Sequence, residues 1–500
     1  MRILRRLVLL LAVAIGGTAT SGNLRGVEPA APGATSPVGS SPHDFWPLGK
    51  LALFIANDAS GGEAAWRSDG TAAGTLRLTP ACGPHCSIGY YLALGETARL
   101  ITINVNAGSS PSQLWVTRGT PKTTVKLAEL EPVGGYPNGD GWIPEQGLLY
   151  VLAAGPRGDT QVWRTDGTPR GTFPVTALPQ FSLPPSFVDY QGRVVFSAAG
   201  ANGAELWESD GTPGGTRPFV NLGQSEPVWL SVANGYLVFI NLGRLWRTDG
   251  TAAGTVALRT PSNTDFFGPL WSFGNRLLFV GSDGNGFKLW TTDGTNRGTR
   301  RLTDRGLEPD GFYGAALGNR FFFSFNDGVH GSALWVTDGT ISGTHLFADL
   351  CPTPCDSGGY FAFPEQVVGG QLLFIATDAV NGQRLWATDG TVSGTKPLAA
   401  TCAGICSYVE VVLGEAGRWI IFLGGGTSGT IEIWRTDLAG NAARLTAFDP
   451  SFLSLPYFFQ GTFIPGLMLF AGEDAVHGVQ LWRSDGTRRG TYLLDDLGAF

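Results

Sequence analysis

The residues best able to do chemistry are six cysteines in three pairs of one spacing: Cys82/Cys86, Cys351/Cys355 and Cys402/Cys406. An even count, paired locally in an exported chain, reads as three short disulfides. Metal binding is the rival reading, with His85 inside the first pair. Structural zinc needs two such pairs on one ion, however, and these pairs sit in three different repeats. The five histidines are His43, His85, His330, His345 and His477. His330 and His477 occupy equivalent positions in two loops, which fits turn geometry better than acid–base catalysis. Gly-x-Ser-x-Gly and His-Glu-x-x-His are both absent, so no catalytic residue is assigned. Calcium is the one cofactor the loops suggest, at Asn138-Gly-Asp140 and Asp283-Gly-Asn285, although Asp and Asn in tight turns commonly serve only the turn. No metal ligand is assigned.

Aromatic pairs form a second set: Tyr90-Tyr91, Phe266-Phe267, Phe312-Tyr313, Tyr360-Phe361 and Tyr457-Phe458. Each ends a long connection as a strand begins. They are the candidate ligand-binding residues, a ring of aromatic faces suited to sugars or peptides. The competing reading is that they pack into the core and cover loop backbone.

The elements that position these residues follow from a repeat. Trp followed by Ser/Thr-Asp-Gly-Thr recurs at Trp66, Trp163, Trp207, Trp246, Trp290, Trp335, Trp386 and Trp482, with divergent copies at Trp115 and Trp434. Successive tryptophans are 39 to 51 residues apart. The turn aspartates are Asp69, Asp166, Asp210, Asp249, Asp293, Asp338, Asp389, Asp437 and Asp485; Arg118 stands in their place after Trp115. Asp accepts backbone N–H groups two residues on, Gly allows a positive φ, and the β-branched Thr restarts the strand. Within one unit, Val228–Ala233, Tyr236–Ile240, Arg244–Thr248 and Thr255–Arg259 read as four short strands, the second almost wholly apolar and so buried on both faces. Four strands in this period make a propeller blade. The expected fold is therefore an all-β propeller of ten four-stranded blades, one large ring in preference to two smaller propellers, since no spacing suggests a linker.

Glu205-Leu-Trp-Glu-Ser-Asp-Gly-Thr212 and Gln480-Leu-Trp-Arg-Ser-Asp-Gly-Thr487 resemble the ELWxxDGT repeat of exported bacterial proteins. The resemblance runs from about residue 44 to the C-terminus, and Asn326-Asp-Gly-Val-His-Gly331 and Glu473-Asp-Ala-Val-His-Gly478 match the upstream part of that pattern. It implies propeller-type repeats and no particular activity. A weaker likeness to TolB-type blades shows in Glu226-Pro-Val-Trp229 and Arg300-Arg-Leu-Thr303. The Asp-containing turn is similar to the Asp-box of sialidase-like propellers. Both are likenesses of fold.

Bulk properties bound the rest. With 73 glycines, 31 prolines and only 15% charged residues, the chain suits short strands and tight turns rather than long helices or disorder. A net charge of −7 without a basic stripe disfavours nucleic acid. Arg2, Arg5 and Arg6 precede an apolar stretch and small residues, so residues 1–19 read as a cleavable export signal and 20–42 as a Pro/Gly/Ser/Ala-rich lead-in. Residues 43–500 are the repeat domain. The expected location is secreted, periplasmic or cell-surface, with no membrane span. The expected function is a non-enzymatic binding or scaffold protein for an extracellular or envelope partner, glycan or peptide. A polysaccharide-acting hydrolase or lyase with its site in the central channel is the alternative.

Overall fold

The computed structural model describes residues 40–497 except 59–60, 83–86, 105–111, 131–139, 155–159, 179–186, 201–202, 224, 226, 259–265, 283–285, 305–313, 328, 331, 351–362, 379–381, 399–405, 427–430, 446–459, 475–476 and 496. The signal and lead-in assigned to residues 1–42 thus lie almost wholly outside the described residues.

Ten antiparallel sheets follow one another, each of four strands paired in sequence order. Blade 1 covers 43–77, blade 2 87–130, blade 3 140–178, blade 4 188–223 and blade 5 228–257. Blades 6 to 10 cover 266–301, 314–348, 363–397, 406–444 and 461–495. Among the described residues no strand is exchanged between blades.

The second strand of each blade carries most of the core. In Leu51–Asn57, alternate residues face opposite neighbours: Leu53 and Ile55 pack with Ile88 and Ile101 of blade 2. Ala52, Phe54 and Ala56 pack with Leu469 and Leu481 of blade 10. Period-two alternation thus buries both faces, and the strand reads as continuously apolar. Ten such clusters join neighbouring blades in turn around the molecule, and the one between blades 10 and 1 closes a single ring.

The repeated Trp sits in the third strand, opposite an aromatic or aliphatic residue of the second. Phe54 pairs with Trp66, Phe279 with Trp290 and Phe374 with Trp386. Their rings stack at 6.2 to 6.5 Å. Each of these tryptophans joins the cluster shared with the preceding blade, so it fills the wedge as the sequence suggests. Its indole N–H also needs an acceptor. Glu205 Oε2 serves Trp207 at 3.2 Å, and Gln161 and Gln113 serve Trp163 and Trp115. That is the physical role of the Glu/Gln two residues before Trp in these three blades.

Candidate functional site

In a four-stranded meander the first-to-second hairpins and the Asp-Gly-Thr turns share one face. The second-to-third connections and the links between blades share the other.

On the turn face, the Asp-Gly-Thr-x-x-Gly-Thr string is a closed hydrogen-bond circuit. Asp210 Oδ1 accepts both the N–H and the hydroxyl of Thr212, at 2.9 and 2.8 Å. Thr212 Oγ1 accepts Gly215 N–H, and its carbonyl accepts the Thr216 hydroxyl. Ser209 Oγ accepts Gly211 N–H and shares a hydrogen bond with Thr216 Oγ1. Gly211 has φ +87°, the left-handed region that favours glycine. The same circuit recurs at Asp69, Asp166, Asp249, Asp293, Asp338, Asp389 and Asp485. Two copies diverge. Asp437 accepts from Ala439 and Asn441, and after Trp115 a capping box between Thr120 and Thr123 takes over. Threonine hydroxyls hold the Asp69, Asp210 and Asp338 carboxyls below the usual carboxylate range. In each full copy the turn engages the Oδ1 atom of its own aspartate.

The other face holds the remaining candidates. Cys82 is in a disulfide, while Cys86, Cys351, Cys355 and Cys402 lie outside the described residues. Cys406 opens the innermost strand of blade 9 (Cys406–Ala416). Tyr90 and Tyr91 lie within the innermost strand of blade 2 (Ser87–Leu94), and Phe266 and Phe267 open that of blade 6 (Phe266–Phe273). Phe312, Tyr313, Tyr360, Phe361, Tyr457 and Phe458 fall outside the described residues. So does Asp283-Gly-Asn285, whereas Asp140 opens the innermost strand of blade 3 (Asp140–Ile143). Among the described residues no three His, Cys, Asp or Glu side chains converge as metal ligands.

His330 takes part in a turn. Asp327 Oδ1 accepts the Val329 and His330 N–H groups, and Oδ2 meets His330 Nδ1 at 2.8 Å. Burial opposes ionisation of Asp327, yet these hydrogen bonds hold its carboxyl low. His43 lies between the Ser41 carbonyl, 3.0 Å from Nδ1, and Glu63, 3.9 Å from Nε2.

A feature the sequence reading did not find lies along the channel wall. Each innermost strand is the edge of its sheet, paired only to the second strand. In blades 1, 2, 5, 6, 8 and 9 this pairing slips near the strand's start. The slips leave Asp44-Phe45, Tyr90-Tyr91 and Trp229-Leu230 without partners in register. Asp44 and Trp229 adopt φ +51° and +56° there, an uncommon conformation for residues with a side chain. Bulges of this kind re-aim side chains and gather at rims and functional sites. Five residues of the blade 5 inner strand (Val228–Ala233) stay half-buried, unlike the sealed second strands. Periodicity alone could not reveal a bulge, because one extra residue leaves the apolar pattern readable on either side.

No family model matches the chain, and no curated protein matches it. Solved structures do. The β-propeller domain of the Trilobed protease from Pyrococcus furiosus, described as having an open velcro topology, is 12% identical with a TM-score of 0.34, over 84% of this chain and 99% of that one. The tricorn protease matches over 91% of this chain and 44% of its own, at 12% identity and TM-score 0.26. Puromycin hydrolase matches over 68% and 59%, at 15% identity and TM-score 0.32. The chain spans about half the length of these last two. At such values the likeness concerns the fold alone. The expected non-enzymatic glycan- or peptide-binding scaffold, and its polysaccharide-acting alternative, are corrected nonetheless. The similar structures carry the names of proteases and a hydrolase, not of non-enzymatic binding proteins. What is shown is the class of architecture: the chain is a β-propeller.

Proposed function

We propose that this ring works in peptide hydrolysis as the part that admits and orients an extended peptide, beside the groups that cleave it. The observation that supports the reading is the circle of ten innermost strand edges along the channel. A strand edge offers unpaired N–H and C=O groups, and an extended peptide satisfies them by adding a strand. Bulges at the start of six inner strands interrupt that edge. Export, read from residues 1–19, and a place among the ELWxxDGT-repeat proteins belong to the same proposal.

The test is a fluorescence-anisotropy titration of the full chain with unfolded peptides and with the same peptides N-methylated at alternate residues, alongside mass spectrometry of the incubated peptides. Binding that N-methylation abolishes is expected. Equal binding of both series, or none, defeats the reading.

A further inference from the structure

The wall of the channel carries charge of one sign. The ten innermost strands hold six acids, Asp44, Asp140, Asp189, Glu365, Glu410 and Glu415. They hold no lysine or arginine, in a chain with 34 of those residues. Arginine is at home elsewhere in the blades. In the third strand of blade 5, Arg247 lies over the Tyr236 ring at 4.2 Å, and its Nη1 donates to the Gly294 carbonyl at 3.0 Å. Cations that adjoin the inner strands are committed or lie past their ends. Arg193 meets Glu208 at 3.6 Å, Arg276 meets Asp293 at 3.4 Å, and Arg320 donates to the Gly390 carbonyl. Lys50 and Arg418 sit in first-to-second hairpins, at the turn-face mouth.

The acids reach from one end of the bore to the other. Asp44 is the second residue of its strand, toward the loop face, and Glu415 the last but one of its own, toward the turn face. Asp44 and Asp189 are half-buried and Glu415 is exposed. Among the described residues none of these three carboxylates has a hydrogen bond or an ion pair. A half-buried carboxylate gives up part of its hydration, and a cationic partner restores what is lost. Walls of one sign and low dielectric also focus the field and draw in opposite charge. These acids stand on separate strands, and among the described residues no three such groups converge on one ion. Their spread suits positive charges strung along an extended chain. Half-buried Trp46, Trp229 and Trp271, on the inner strands of blades 1, 5 and 6, add aromatic faces that favour ammonium and guanidinium groups.

We propose that the channel selects basic peptides, extended segments whose lysine or arginine side chains pair with the inner-strand carboxylates while their backbone pairs with the strand edges. This rests on the strand-addition reading above and names the substrate class for the same channel. Anisotropy titrations of the full chain compare three peptides of one length and apolar pattern, with lysine, glutamine or glutamate at the polar positions. At low ionic strength the lysine peptide should bind about tenfold more tightly than the glutamine peptide, and the glutamate peptide more weakly still. Added salt should shrink the difference. Asp44→Asn, Asp189→Asn and Glu415→Gln, singly and together, should weaken the lysine peptide and leave the glutamine peptide unchanged. Asparagine tolerates the left-handed backbone at position 44, where φ is +51°. Glu129→Gln, on the outer strand of blade 2, should alter neither peptide. Lysine and glutamate peptides that bind alike, both blocked by N-methylation, overturn the charge selection and leave strand addition standing. Binding of no peptide defeats both. A lysine preference that survives all three substitutions lies with other groups and overturns the assignment to these carboxylates.

Discussion

At the scale of residues, the second glycine of the turn string is the least obvious and the most constrained. Gly215 has no need of a positive φ, but a methyl group there would land on the Asp210 carboxylate. Gly214, one residue earlier, has open space around it. Gly215→Ala should therefore cost about 1–3 kcal/mol in urea unfolding. Gly214→Ala should be neutral or stabilise by up to about 1 kcal/mol. Equal effects at both positions would show that backbone freedom, rather than the carboxylate, selects glycine.

The aspartates also set an acid limit. The Asp69, Asp210 and Asp338 carboxyls are held low, first by threonine hydroxyls, so the ionised form is the one the fold prefers. Their contribution is complete above the unfolded value, about 3.9 for Asp, and is lost as pH falls through the folded value. Asp210→Asn should lower the melting temperature at pH 7, with the gap closing below about pH 4. A gap that persists unchanged to pH 2 would assign Asp210 a role that ignores its charge. The turn was legible in the sequence because its chemistry is local. The shared hydroxyls of Ser209 and Thr216 were not, since they meet only once the third and fourth strands pair.

At the scale of elements, neighbouring blades are held by a repeated contact as well as by apolar packing. An apolar side chain of one blade lies beneath the first glycine of the next turn: Leu51 under Gly119, Leu148 under Gly211, Leu467 under Gly70. Arginine completes several seams, as Arg320 does on Gly390 and Arg483 on Gly70. Arg247→Lys keeps the charge but loses the planar group over Tyr236, and should cost about 1.5–3 kcal/mol by thermal denaturation. A variant as stable as the parent would leave the stack and the bond without energetic weight. Strand order and the buried second strands were readable from periodicity. The inner-strand bulges were not, and neither was the seam arginine, whose partner lies 47 residues away in Gly294.

At the scale of the whole molecule, the closing seam between blades 10 and 1 repeats the others. Arg483 reaches Gly70 at 2.7 Å, and Phe45, Phe54 and Trp66 share a core with Leu469 and Leu481. The lead-in adds Ser41 N–H to the Val479 carbonyl and Ser40 to Gln480. A circular permutant opened between blades 5 and 6, with the original ends joined by a flexible linker, should fold to a monomer and melt within a few degrees of the parent. Aggregation of that permutant would mean the native seam depends on a free N-terminal segment. Five of the ten outer edges, in blades 1, 5, 6, 8 and 9, are two residues long, which leaves little template there for edge-to-edge pairing.

Because every blade is cut from consecutive strands and every seam shares an apolar cluster between neighbours, the ring has no mandatory first or last member. A gene encoding it could gain or lose one whole unit by unequal recombination and still yield a protein whose joints all match. Only the angle at each wedge would need to adjust. Blade number is then a heritable variable, and with it the bore of the channel. The width of the ring could change between lineages by copying a segment rather than by remodelling individual strands.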